Sequence, residues 1–326
     1  MTPDRRLSRR AFGGLLAALS ALAVSATART PARADTATVR IGYQRSSTLI
    51  TILKTNGALE KALQPLGVEV TWHEFTSGLP LLEALNLGKI DVSADVADTV
   101  PVFAQAAGAK LVFFAEEGPS PTAQAILVPK DSPITSVAGL KGKRVAVTKG
   151  AGSHYLLLAA LAQAGLSFKD ITPAYLTPAD GRAAFVSGNV DAWVAWDPFL
   201  ATTQQQSGAR VLADGAGLAG YKRYYLTTAS FAKEHGPVLA VLFDQLKATS
   251  IWVKQHPAEA ARLLAGLWNI DAAAIETANG RRSYAVAPVT RQGLAEQQKI
   301  ADAFVAEGLV PKPVDTADVG IWQPAG

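Results

Sequence analysis

The chain has 326 residues, no cysteine, and 31 Lys plus Arg against 27 Asp plus Glu, for a formal net charge of +4. Six Arg and one Asp fall in the first 34 residues, so beyond them Lys plus Arg drops to 25, Asp plus Glu to 26, and the balance to about −1. That excludes a basic nucleic-acid footprint, a disulfide framework, thiol catalysis and a lipid-modified cysteine tether.

In chain order, Ser8-Arg9-Arg10-Ala11-Phe12-Gly13-Gly14 precedes an apolar stretch, 15–26, and Ala32-Arg33-Ala34 offers a small-residue cleavage site. This reads as a twin-arginine export signal over residues 1–34, cleaved after Ala34. Its apolar stretch is shorter than the roughly 20 residues that span a bilayer, so the expectation is a freely soluble periplasmic protein. The remaining length, about 290 residues, is more than one typical domain and suggests two lobes.

Residues 40–44 form a strand that ends in polar Gln44, Arg45, Ser46 and Ser47, ahead of a helix pattern through Leu49, Ile50, Ile52, Leu53, Leu59 and Leu63. A helix over 81–87 stops at Gly88-Lys89-Ile90-Asp91, before a strand at 92–94. The same order returns later. A strand at 144–147 runs into a polar loop and a helix, and a helix over 183–187 stops at Gly188-Asn189-Val190-Asp191 before a strand at 192–195. Between the copies, 111–115 and 124–128 read as β segments around a Pro-rich turn, and 224–228 is a second β crossover. Helices follow over 237–255, 257–268, 271–279 and 290–307.

The predicted fold class is therefore α/β: two similar α/β lobes joined by two hinge strands with the ligand cleft between them. Lobe I comprises 35–125 with 222–326, and lobe II 126–221. In such sheets ligands bind beyond the carboxyl ends of the strands.

The loop Thr148-Lys149-Gly150-Ala151-Gly152-Ser153-His154 sits between strand and helix, where backbone N–H groups and the helix dipole favour an oxyanion. Thr148 and Ser153 offer hydroxyl donors. A Walker loop needs Gly-Lys-Ser/Thr at its end, whereas Lys149 precedes Gly150, so a nucleotide phosphate fits less well. A tight turn with glycines placed for packing is the plainer reading. Ser46 or Ser47 and Ser77-Gly78, just before Pro80, precede two more helices, so three helix N-termini converge on the cleft with no fixed cation required. Leu79, Trp196 and Phe199 offer apolar walls, with Trp193 more deeply in the core. Asp91 and Asp191 are read as structural; Asp95 and Asp98 either cap the next helix or line the site.

Catalysis and metal binding find little support. His73, His154, His235 and His256 have no metal-ligand spacing, and Ser153-His154 adjacency is not a nucleophile–base geometry. The expectation is no catalytic residue, no metal and no cofactor.

Taken together, residues 41–47, Thr76-Ser77-Gly78-Leu79-Pro80, residues 93–99, residues 148–154 and Trp196-Asp197-Pro198-Phe199 closely resemble the periplasmic aliphatic-sulfonate-binding proteins of ATP-driven importers, within the nitrate, sulfonate and taurine group. The resemblance spans roughly residues 39–322. It implies a bilobal periplasmic-binding-protein fold of type II, with one small ligand between lobes that is delivered to an inner-membrane ABC permease with its cytoplasmic ATPase. It also implies that Gln44, Ser46, Gly78, Ala97, Gly150, Ala151, Gly152, Ser153 and Trp196 line the site, to which Ser47, Leu79, Asp98, Thr148 and Phe199 are added here from their positions at strand ends. The expected ligand is an alkanesulfonate, with taurine or nitrate as alternatives on the same fold. A sensor role and an enzyme are the rival classes; the fold's sulfinate desulfinases use a cysteine this chain lacks, and its pyrimidine synthases a reactive histidine. Size suggests a monomer.

Overall fold

The computed structural model describes residues 37–324, so the export signal and its cleavage site lie outside the described residues. The chain begins with β1 (Ala37–Gln44), α1 (Thr48–Asn56), α2 (Ala58–Leu63), β2 (Val68–Phe75), α3 (Gly78–Asn86), β3 (Val92–Ala97), α4 (Thr99–Ala106) and β4 (Val112–Glu117). It continues with β5 (Gln124–Val128), β6 (Arg144–Val147), α5 (Gly152–Gln163), β7 (Thr172–Tyr175), α6 (Pro178–Val186), β8 (Ala192–Trp196), α7 (Phe199–Ser207) and β9 (Arg210–Asp214). The last third holds β10 (Arg223–Thr227), α8 (Ala229–Glu234), α9 (Gly236–Gln255), α10 (Pro257–Trp268), α11 (Ala272–Arg281), β11 (Val286–Ala287), α12 (Ala295–Ala306) and β12 (Gly320–Ile321).

Two sheets share one plan. The first runs β2-β1-β3-β10-β4, extended beyond β4 by β11 and β12; the second runs β7-β6-β8-β5-β9. In each, three parallel strands are followed by one antiparallel strand that arrives from the other sheet: β10 beside β3, and β5 beside β8. Each crossing joins strand to strand through a short segment outside any strand, 118–123 and 215–222, rather than through an unbroken hinge strand. Ser120 N donates to Gly220 O at 2.9 Å, tying the two segments together.

The internal repeat read in the sequence is exact in its hydrogen bonds. Gly88, at φ +64, and Gly188, at φ +74, take the left-handed conformation that a side chain disfavours. Each closes its helix the same way: Gly88 N to Leu85 O and Lys89 N to Ala84 O, then Gly188 N to Phe185 O and Asn189 N to Ala184 O. Asp91 N then donates to Arg40 O while Arg40 N donates to Asp91 Oδ2, and Asp191 and Arg144 repeat the pair at the same 2.8 Å. Asp91 and Asp191 are thus clamps between a strand start and the helix end before its neighbour.

Strands buried on both faces explain the near-continuous apolar runs. One face of the first sheet packs Ile41 and Tyr225 against Leu49, Leu53, Leu242 and Leu264 from α1, α9 and α10; the other packs Val96 and Phe113 against Leu81 and Leu85 of α3 and Val100 of α4. In the second sheet, Ile126, Val145 and Val194 face Leu156 and Leu157 of α5, while Leu127 and Trp193 face Phe185 of α6 and Leu200 of α7. Ile300 and Phe304 of the late helix α12 join the α5 side of that second core. Sequence periodicity anticipates helices α9, α10, α11 and α12 to within a few residues, whereas β9, β11 and β12 are found only by the pairings they make.

Candidate functional site

The carboxyl ends of β6 and β8 and the start of β5 lie at one edge of the second sheet, since β6 and β8 are parallel and β5 is antiparallel to β8. The loop after β6 delivers fewer free donors than its sequence suggests. Thr148 Oγ1 donates to Leu176 O at 2.8 Å, so it is not the available hydroxyl donor the sequence predicts. Gly150 N donates to His154 Nδ1 at 3.1 Å and Ala151 N to Thr148 O at 3.2 Å, which takes two loop amides out as well. The N–H groups of Gly152 and Ser153, in the first turn of α5, have no backbone acceptor. Ser153 Oγ is fully buried without a partner. Trp196 Nε1, at the end of β8, is likewise buried and unpartnered, and its ring meets Phe199 edge-on at 5.8 Å.

Close approach to the first sheet explains the glycines. A Cβ on Gly152 would lie 2.4 Å from Tyr221 Cε2 and 3.0 Å from Ala97 Cβ, and one on Gly150 would lie 2.7 Å from Leu79 Cδ1. Ala97, Trp196 and Tyr221, with Leu79, Ala151 and Phe199 packed against them, form one apolar cluster that bridges the two edges. Gly78 is buried under Val96 and Val100 at the first turn of α3, a packing position. Outside this cluster, Phe199 borders cavities of about 310 and 270 Å³, both also lined by Arg45 of the first edge and Ala179 of the second. A larger cavity, about 660 Å³, lies between α1, α9 and α10 at Ile52, Trp252 and Leu263, remote from both edges.

The first edge is organised differently. Gln44 Nε2 donates to Asp95 O at 3.1 Å, and Gln44 N donates to Ser47 Oγ at 3.2 Å, so the Ser47 hydroxyl serves the strand end and does not cap α1. Ser46 is buried beside it. Asp95 lies 2.9 Å from Arg223 Nε and 3.4 Å from Arg282 Nη2; Arg282 also bonds Glu117, which accepts from Tyr225 Oη at 2.7 Å. Burial pushes the Asp95 carboxyl up, opposed chiefly by Arg223. Arg223 Nε is at ion-pair distance without being aimed at that carboxylate, and its Nη1 has no partner. The guanidinium rests over the Tyr221 ring, 5.5 Å from its centroid.

Asp98 is turned elsewhere. Its Oδ2 accepts from Lys222 N at 3.1 Å and its N donates to Lys222 O at 3.0 Å, so it clamps the second crossing. Burial lifts its carboxyl to about 7. It lines a cavity of about 420 Å³ with Pro119, Tyr155, Gly220 and Glu296.

Sequence reasoning missed Gln124, Tyr221, Arg223 and Arg282. The two arginines stand against carboxylates from strands distant in sequence, which no local pattern reveals. Gln124 did carry a signal, a lone polar residue opening the apolar strand Gln124-Ala125-Ile126-Leu127-Val128. Among the described residues no group of three or more acidic, His or Cys side chains is arranged to hold a metal ion.

Residues 64–260 match the family model described as NMT1/THI5 like. An aliphatic-sulfonates-binding protein of Escherichia coli K12 is 41% identical over 98% of this chain and 97% of its own. The chain belongs to the NMT1/THI5-like family, among the aliphatic-sulfonate-binding proteins. A Bacillus subtilis protein named for the same ligand class is 33% identical over 86% of this chain and 85% of its own. The solved alkanesulfonate-binding protein SsuA of Xanthomonas axonopodis pv. citri, bound to MOPS, superposes with a TM-score of 0.82 at 40% identity, covering 88% of this chain and 98% of that one. These family members are binding proteins, and the bilobal α/β fold is theirs.

Proposed function

We propose that this chain is the solute-binding component of an ABC importer, capturing alkanesulfonates in the periplasm and delivering them to an inner-membrane permease driven by a cytoplasmic ATPase. The observation that carries this is the set of buried, uncharged donors without acceptors at the second edge: Ser153 Oγ, Trp196 Nε1 and the first-turn amides of α5. A sulfonate stays a monoanion at all relevant pH and only accepts hydrogen bonds, so it satisfies donors of this kind and leaves no proton of its own unpaired. The ring of Leu79, Ala97, Trp196 and Phe199 suits an alkyl body. Gln44, Ser46, Ser47, Gly150, Ala151 and Gly152 complete the lining in this reading, and Thr148, Gly78 and Asp98 support it from behind.

Taurine's ammonium would need an open carboxylate, and Asp95 already faces Arg223 and Arg282. Binding without reaction fits the site. His154 is fully buried, its Nδ1 accepts from Gly150, and burial pushes its pKa down to about 3, so it is a poor proton shuttle near neutrality. Export by the twin-arginine signal, cleavage after Ala34 and a monomeric mature protein belong to the same proposal, as do lobes that meet at 118–123 and 215–222.

Thermal unfolding of the purified protein with octanesulfonate, ethanesulfonate, taurine, nitrate and sulfate tests this reading. Alkanesulfonates at 100 times their dissociation constant should add about 2.7 kcal/mol of stability. Stabilisation by nitrate or sulfate alone, or by none of the five, overturns it.

A further inference from the structure

Gln124 is fully buried, and neither its Nε2 nor its Oε1 has a partner. A native fold leaves few such groups, and each calls for a cause. Strand alternation supplies the direction. Ile126 and Val128 on β5, and Ala192 and Val194 on β8, face α5; Ala125, Leu127, Trp193 and Ala195 face α6 and α7. Gln124 and Trp196 therefore both belong to the α5 face. They are also Cα partners in the β5–β8 ladder, so their side chains are cross-strand neighbours at the edge where α5 begins. Ser153 opens that helix. Three fully or almost fully buried side chains with unpartnered polar atoms, Gln124, Ser153 and Trp196, thus share one corner of the second sheet.

We infer that Gln124 is a ligand-binding and specificity-determining residue, its Nε2 donating to the anionic head group beside the Trp196 indole N–H. The assignment rests on the sulfonate-binding reading above and extends it to a residue outside the strand-end loops. Gln124 follows directly on the first crossing: Ala123 N donates to Ser120 O at 3.0 Å and Asp197 N donates to Ala123 O at 2.9 Å, so a head group held there is anchored next to the connection between the sheets. A neutral amide suits a monoanion in a site already holding the self-balanced Arg223, Arg282, Asp95 and Glu117, because it adds a donor without adding charge.

The test compares Gln124→Leu and Gln124→Glu with the parent, measuring unliganded melting temperature and ethanesulfonate affinity by calorimetry. Leu is close in volume and removes two unsatisfied polar groups, so the free variant should melt at or above the parent temperature while affinity falls by about tenfold or more. Gln124→Glu should bind more tightly at pH 5 than at pH 8, because only the protonated acid donates. A Gln124→Leu variant that binds like the parent, or that melts well below it or fails to fold, overturns the assignment, the latter because the amide would then be satisfied within the fold. A parent that binds no sulfonate overturns the reading of the whole site, and this assignment with it.

Discussion

The two strand edges that meet at the candidate site are built on the same plan and finished in opposite ways. At the first edge, charged groups are abundant and face one another: Arg282 bonds Glu117 and Asp95, Arg223 stands against Asp95 with its Nε and Nη1 unpartnered, and Gln44 and Ser47 are used on the backbone around them. At the second edge, apart from Asp197 paired with Arg281, the groups are neutral and open, with Ser153, Trp196 and Gln124 all holding buried polar atoms that nothing in the protein satisfies. A buried ion network is costly to break and rigid when complete, whereas a buried open donor is a liability until an acceptor arrives. On the proposed function, the first edge is scaffold and the second receptor. On that reading, discrimination between anions rests on neutral donors of fixed geometry, while the charge network of the first edge is neutral in sum.

This division makes separable predictions. The largest effect belongs to the scaffold. Arg282→Met leaves Asp95 and Glu117 buried with one guanidinium between them and should cost about 3–5 kcal/mol of folding stability, read from the urea midpoint of the unliganded protein. A loss under about 1 kcal/mol would mean that the first edge is not held by its ions. Gly152→Ala is intermediate and strikes both edges at once. Its Cβ would press into the Tyr221 ring and Ala97, costing about 1–3 kcal/mol in the same measurement. Calorimetry should show sulfonate binding lost with it; unchanged affinity would remove α5 from the receptor. The smallest stability effect comes from Ser153→Ala, expected within about 0.5 kcal/mol of the parent because the hydroxyl has no protein partner to lose. Its affinity for ethanesulfonate should still drop about tenfold, the scale of one hydrogen bond to a charged acceptor. The reverse pattern, stability lost and affinity kept, would assign Ser153 to the scaffold.

Much of this organisation was legible in the sequence. The two Gly-x-apolar-Asp stops, the polar strand ends and the long apolar helices are written in residues within a few positions of one another, and the hydrogen bonds they make are equally local. Ser153 and Trp196 were legible as candidate site residues because one opens the helix after β6 and the other ends β8. Thr148 and Ser153 could not be told apart from sequence: both are hydroxyls in one loop, and the difference is that Leu176, 28 residues on, accepts from Thr148. Asp95 and Asp98 sit three residues apart on one strand end, yet one meets Arg282, 187 residues away, and the other Lys222, 124 residues away.

The repeated strand, loop and helix plan, and with it the edges where a ligand can sit, is fixed by near neighbours and by burial, because periodicity, helix stops and strand termini depend on little else. Which donors at those edges are spent and which are open, and where Arg223 and Arg282 find their carboxylates, is set by the assembled fold alone. That follows from hydrogen-bond and charge pairing being satisfied across the assembled sheets: a donor's availability is set by whatever distant segment the fold brings within about 3 Å of it.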